Sequence, residues 1–238
     1  MMNKQRPFQE SDYETKLISD PVWDHILRCL DSSVDLTDKP LLRLATLLHD
    51  VGKPATKNTK EDGSITFYKH EVVGATIAYE LMKRLKFSNA DIEYVTKLVR
   101  YHQWRFETDT KEKTIRKWLQ DVGKDIWEDL IVLRCADRKG NKHKMALGKG
   151  MITTKMRELM DKVYHLIQSG VPLFREDLAI NGDDFRELGV RPGPIYKEIF
   201  SNLLGITAND PTKNNKEWLK EFVKRNYVEK KAKEQSED

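Results

Sequence analysis

Six residues of this chain have the types and settings of a cation-binding centre: His25, His49, Asp50, His70, His102 and Asp137. His49-Asp50 closes an apolar helical run, Leu41-Leu42, Leu44-Ala45 and Leu47-Leu48. Taken alone, a His-Asp pair is the polar tip of a capped helix. His25 lies among apolar neighbours on the preceding helix, and Asp137 comes late in the apolar run Leu130 to Asp137. An ionised aspartate in such a run is costly to bury without a cation or a dense set of donors. Two imidazoles and two carboxylates from three helices supply the mixed nitrogen and oxygen ligands that Mn, Fe, Co, Ni or Zn accept. Side chains on facing helices of a bundle project to one point.

His70 opens one helix and His102 closes the next. If those ends meet near His49-Asp50, a second cation can be held with Asp50 as the bridge. Two cations roughly 3.5–4 Å apart clamp an in-line phosphoryl displacement. A capping or surface role for either histidine stays open. Lys53, three residues beyond Asp50, reads as a phosphate contact or a solvated loop lysine. Arg100 and Arg138 flank ligand candidates and read as phosphate contacts or as ordinary ion-pair residues. His143 and His165 have no such setting. Other chemistries fit badly: there is no Walker-type glycine loop, no Gly-x-Ser-x-Gly elbow and no Cys-x-x-Cys pattern. The acid pairs Glu61-Asp62 and Asp183-Asp184 sit in turn sequences, where solvated acids are ordinary.

Almost every segment that must position these residues reads as helix. Apolar residues recur at helical spacing from Val22 to Leu30 and from Leu41 to Leu48, and Gly52 and Pro54 read as a glycine C-cap and a proline stop. Residues 55–66 form a polar loop with the turn signal Asp62-Gly63, and Ile65 to Tyr68 read as a short extended piece. Val73, Ile77, Leu81 and Leu85 predict a helix over 70–86, and Ser88 with Asp91 predicts a capped start for the helix that ends at His102. Further helices are expected over 111–122, 124–138, 152–169, 194–204 and 215–228. The fold is therefore all-α. The texture becomes turn-rich after Pro172, which divides the chain into an N-terminal tail (1–18), a helical body (19–171), a small C-terminal helical extension (172–228) and a charged tail (229–238).

A chain of 238 residues, 39% hydrophobic, is long enough to bury a substantial core. No apolar run approaches the roughly 18 residues of a membrane span, and the N-terminus lacks a signal-peptide core. A cytoplasmic location is expected, with Cys29 and Cys135 reduced and buried as packing residues. The formal charge of +4, with 42 basic against 38 acidic residues, suits an anionic ligand without demanding a nucleic acid.

The order His25, then Leu47-Leu48-His49-Asp50-Val51-Gly52-Lys53-Pro54, then Asp137 resembles the HD superfamily of metal-dependent phosphohydrolases. Tyr68 to Ala75, Leu98 to His102 and Cys135-Ala136-Asp137 are similar to the HD region of bacterial CCA-adding tRNA nucleotidyltransferases. So is the segment Ile180 to Pro194, and the likeness spans roughly 20–225. This resemblance implies an HD-domain helical bundle in which His25, His49, Asp50 and Asp137 hold a divalent metal. His70 and His102 match the six-ligand variant, with one or two ions of Mn, Fe, Co, Ni, Zn or Mg. It implies phosphohydrolysis on nucleotides or RNA ends, with 2′-phosphates and 2′,3′-cyclic phosphates as the family's substrates. The alternatives are a nucleotidase or dNTP hydrolase on the same scaffold, or a non-catalytic tRNA- or RNA-binding module. Nucleotide or RNA phosphates, tRNA among them, are the expected partners, with neither membrane nor DNA. Only about twenty residues precede the matching part, so nucleotide addition to tRNA is not expected.

Overall fold

A computed structural model of the chain describes residues 22–107, 109–142, 145 and 152–229. The tail 1–18, the charged tail beyond Glu229 and His143 lie outside the described residues. In chain order the elements are α1 (Val22–Val34), α2 (Pro40–Leu48), α3 (Lys53–Thr56), β1 (Asn58–Thr59), β2 (Ile65–Thr66), α4 (His70–Arg84), α5 (Asn89–Tyr101), α6 (Glu112–Val122) and α7 (Trp127–Gly140). Then follow α8 (Thr154–Gln168), α9 (Gly182–Glu187), α10 (Pro194–Asn209), α11 (Lys216–Val223) and a closing π-helical turn, Lys224–Glu229. The fold is predominantly helical; among the described residues the two short strands form one antiparallel hairpin, Asn58 opposite Thr66 and Thr59 opposite Ile65. No described helix is long and apolar enough to cross a membrane.

The chain forms two compact units: one runs through Arg105 and resumes over Asp125–Thr154, the other comprises Phe106–Lys124 and the residues from Lys155 onward. In the first, α2 packs against α1, α5 and α7, α4 lies on α5, and α1 lies on α7. Helix α2 starts on Pro40, whose missing N–H would have no intrahelical partner anyway. Its inward face buries Leu42, Ala45 and Leu48 with Thr46, whose hydroxyl donates to the Leu42 carbonyl at 2.9 Å. Helix α1 meets α7 at a glycine: a Cβ on Gly140 would stand 2.4 Å from Cys29 Sγ and 2.8 Å from Cys29 N. A polar knot around the buried Asp129 adds to this packing. Asp129 on α7 accepts from Lys39 Nζ at 2.9 and 3.0 Å and from the Tyr94 hydroxyl at 2.7 Å, so the head of α2, the middle of α5 and the start of α7 share one carboxylate. Both cysteines are free and buried.

Ser88 caps α5 as its sequence predicts, accepting from the Asp91 N–H at 3.1 Å. The expected reading of Gly52 is corrected. Its φ is −79°, and α2 ends at Leu48, so it is not a left-handed C-cap, and Pro54 belongs to the short helix α3. The glycine is required by a close approach described below.

The second unit has its own core of Leu178, Ile180, Phe185, Ile199, Leu203 and Leu219 with their neighbours. Asn181 and Asp184 cap α9 reciprocally: Asn181 Oδ1 accepts from the Asp183 and Asp184 N–H groups, and Asp184 Oδ2 accepts from Asn181 N at 3.0 Å. Asp184 is thus a buried capping partner rather than a solvated turn acid. A hydrogen bond from Lys216, against the opposing effect of burial and helped by Asn181 N and Lys220, pulls its carboxyl down to about 2. Helix α10 runs to Asn209, five residues beyond the expected end, carrying Gly205 in its interior. Glycine weakens a helix by about 1 kcal/mol, and the burial of Leu203, Leu204 and Thr207 around it outweighs that.

Candidate metal centre

The centre is assembled from helix ends. His25 comes from the first turn of α1, His49 and Asp50 follow the last turn of α2, His70 begins α4, His102 caps α5, and Asp137 lies in the last turn of α7. The four histidines and Asp50 are buried, and Asp137 is half-buried. Three of the imidazoles are fixed in the same way. Nδ1 of His49 donates to the Thr46 carbonyl (2.7 Å), Nδ1 of His70 to that of Phe67 (2.8 Å) and Nδ1 of His102 to that of Val99 (2.7 Å), each three residues back. A carbonyl can only accept, so the Nδ1 atoms carry the protons and the neutral rings turn Nε2 lone pairs inward.

Those lone pairs meet other lone pairs. His70 Nε2 lies 3.3 Å from His102 Nε2. Asp50 divides its oxygens: Oδ2 is 3.3 Å from His49 Nε2 and 3.6 Å from His25 Nε2, while Oδ1 is 3.3 Å from His70 Nε2 and 3.7 Å from His102 Nε2. Asp137 Oδ1 stands 3.1 Å from His25 Nε2 and 3.9 Å from His49 Nε2. His49 Nε2 is fully buried and has no hydrogen-bond partner of good geometry among the described residues. Acceptors at these separations repel unless a cation or a proton lies among them, and imidazole plus carboxylate is the donor set of a transition or group-12 ion. The residues present therefore fit a divalent metal, in two clusters: His25, His49 and Asp137 with the Cys29 thiol among them, and Asp50, His70 and His102.

Without a cation, the carboxylates favour a proton on His49. Burial opposes charge on His49, but the carboxylates of Asp50 and Asp137 outweigh it and raise the imidazole above its ordinary range. Burial likewise opposes charge on Asp50, and His49, His70 and Lys53 together hold it well below the usual carboxylate range. Burial, reinforced by His49, brings His102 down to about 3 against the pull of Asp50, so this ring is neutral at physiological pH. The Cys29 thiol adjoins the first cluster. Its sulfur is 3.5 Å from His25 Nε2 and 3.7 Å from Nδ1, nearly equidistant, which places it over the face of the ring rather than along the lone pair. It packs His25, and burial pushes the thiol up.

Gly52 explains how two of these helices register. A Cβ there would fall 2.2 Å from the His70 carbonyl oxygen and 2.6 Å from Gly74 N. The loop after Asp50 thus lies directly on the first turn of α4. On the other side of His70, Lys69 adopts a left-handed conformation (φ 60°), which turns the chain so that the Phe67 carbonyl meets both the His70 N–H (3.3 Å) and its ring. Gly52→Ala is expected to push α4 outward, costing about 1–3 kcal/mol of stability and lowering bound metal. Thermal melts with metal analysis check this; unchanged values of both would show that the loop yields instead.

The basic residues sort themselves by distance. Lys53 Nζ lies 2.5 Å from Asp50 Oδ2 and 5.7 Å over the Phe67 ring, beside the centre. Arg100 is 3.7 Å from Glu71 Oε1, next to His70 in sequence, with its guanidinium near the Tyr101 ring. Arg138, half-buried, lies by Cys135, whose thiol is raised by burial against the arginine's opposing charge. Arg134 was not among the sequence candidates, although it touches the centre: its Nη1 is 3.4 Å from Asp137 Oδ2. The signal was an i, i+3 spacing from Asp137, common to any helical ion pair.

The model of the HD domain family matches residues 22–141, which hold all six candidate ligands. The chain belongs to the HD domain family. This HD protein is 37% identical over 191 residues to the CC-adding tRNA nucleotidyltransferase of Thermus thermophilus, covering 79% of this chain and 41% of that protein. It is 30% identical over 182 residues to the A-adding tRNA nucleotidyltransferase of Deinococcus radiodurans, covering 73% of this chain and 40% of that one. A 96-residue stretch is 34% identical to the bifunctional uridylyltransferase/uridylyl-removing enzyme of Streptomyces coelicolor, 10% of that protein. The chain thus spans about two fifths of the two tRNA nucleotidyltransferases it resembles. Its HD domain carries metal-coordinating clusters consistent with a catalytic HD-type phosphohydrolase.

Proposed function

We propose that this HD protein is a metal-dependent phosphohydrolase acting on nucleotides or RNA ends, with 2′-phosphates and 2′,3′-cyclic phosphates as its substrate class. The observation that carries the reading is the convergence of buried imidazole lone pairs and two carboxylates, with Asp50 facing both clusters. Likeness to two tRNA nucleotidyltransferases supports RNA ends over other phosphates.

His25, His49, Asp50 and Asp137 would hold one cation, and His70, His102 and the second oxygen of Asp50 another. Mn, Fe, Co, Ni and Zn match these donors, and bound cations of this kind supply Lewis acidity toward phosphoryl oxygens and lower the pKa of a water. The chain's own contribution is arrangement. The carbonyls of Thr46, Phe67 and Val99 fix three rings and raise their basicity as ligands. Burial of the centre keeps bulk water from screening the charges within it. Lys53 places an ammonium at the rim, where it stabilises negative charge growing on the phosphoryl group without coordinating a metal. Arg100 and Arg138 serve phosphates further from the scissile bond.

Metal analysis of the purified protein, followed by hydrolysis assays with adenosine 2′-monophosphate and 2′,3′-cyclic AMP in added Mn²⁺, Co²⁺ or Ni²⁺, tests the proposal. Bound metal with metal-stimulated phosphate release is expected. A protein that takes up no divalent ion, or that binds metal and cleaves neither compound, would sink it.

A further inference from the structure

The geometry points to Arg134 as a second phosphate receptor of the centre, beside Lys53, gripping the non-bridging oxygens of a bound phosphate. The inference rests on the reading of the centre as a phosphohydrolase site and adds to it a residue that holds the substrate's anion.

Each carboxylate of the centre has a basic side chain of its own. Lys53, three residues after Asp50, reaches Asp50 Oδ2 at 2.5 Å. Arg134, three residues before Asp137, reaches Asp137 Oδ2 at 3.4 Å, while Oδ1 of the same carboxylate faces His25 and His49. Asp137 therefore stands between the imidazoles and a guanidinium, which puts the guanidinium at the edge of the centre. Arg134 is also held: its guanidinium lies 5.9 Å over the ring of the buried Trp104. A cation resting on an aromatic face keeps its edge donors free to bond outward. The side chain is 21% exposed, enough to meet a ligand and too little to be freely solvated.

An ordinary surface ion pair would look different. Such pairs join two mobile side chains and contribute little. Here one partner is anchored on tryptophan and the other is a candidate metal ligand. Arginine has the planar fork that binds two oxygens of one phosphate at once, which lysine cannot reproduce.

The test uses inorganic phosphate as the probe and the Mn²⁺-loaded full chain, with metal content measured on the same samples. Calorimetric phosphate affinity is expected to fall by about tenfold to a hundredfold in Arg134→Ala, with metal content unchanged. Arg134→Lys should restore only part of the loss, and added guanidinium ion should restore binding to Arg134→Ala but not to Lys53→Ala. Unchanged phosphate affinity in Arg134→Ala would overturn the inference. So would a loss of metal that tracks the loss of phosphate, because Arg134 would then be a support for Asp137, with the phosphohydrolase reading intact. If wild type takes up no cation, that reading and this inference fall together.

Discussion

Asp50→Ala is expected to abolish phosphohydrolysis and strip the protein of bound divalent metal while leaving its helical circular dichroism in place. Asp50 faces His25 and His49 with one oxygen and His70 and His102 with the other, and it is 2% exposed. Without it the four imidazoles retain no shared anion to balance two dications, and the several kcal/mol of charge stabilisation that bound cations supply is lost, a fall in rate of about a thousandfold or more. The helices do not depend on this carboxylate, because α2 is held by Leu42, Ala45 and Leu48 on its apolar face. Initial rates, metal analysis and far-ultraviolet spectra on one preparation check the prediction. Near-wild-type turnover with metal retained would remove Asp50 from the site.

The second large effect concerns the number of ions. His102→Ala, and separately His70→Ala, should lower the metal content from about two per chain to about one and depress kcat far more than they raise KM. Both rings are buried, both have Nδ1 tied to a carbonyl, and their Nε2 atoms face each other and Asp50 Oδ1. A cation placed there acts on charge that develops during the reaction more than on the bound ground state. Metal counting on wild type and both variants decides the matter. A wild-type content of one that neither variant alters leaves His25, His49, Asp50 and Asp137 as the whole centre, with His70 and His102 outside it.

Much of this architecture can be read from the chain itself. Apolar residues at helical spacing mark α1, α2, α4 and α5, and Ser88 announces the start of α5. Histidines standing at helix ends could be singled out because a buried imidazole or carboxylate needs a partner, and the six candidates do converge. Three features lay beyond sequence. The role of Gly52 depends on the backbone of α4, eighteen residues away in His70, so it looked like an ordinary helix stop. Arg134 acquires meaning only from Trp104, which no local pattern connects to it. The helix expected over 194–204 continues through Gly205 to Asn209, and only the burial of Leu203, Leu204 and Thr207 shows why.

The contact between Gly52 and the first turn of α4 has a consequence for how this domain can be remodelled. The stretch between α3 and His70 leaves and rejoins the body at one place, because Gly52 and His70 already touch. The closure of that loop is set by its base, and its tip at Asp62-Gly63 is solvent-exposed. Doubling the length of such a loop adds only about 0.6 kcal/mol of closure entropy. Residues 58–66 therefore form an exchangeable cassette: longer hairpins, or a small foreign domain joined at both ends, can be grafted there while Lys53, Phe67 and His70 keep their places.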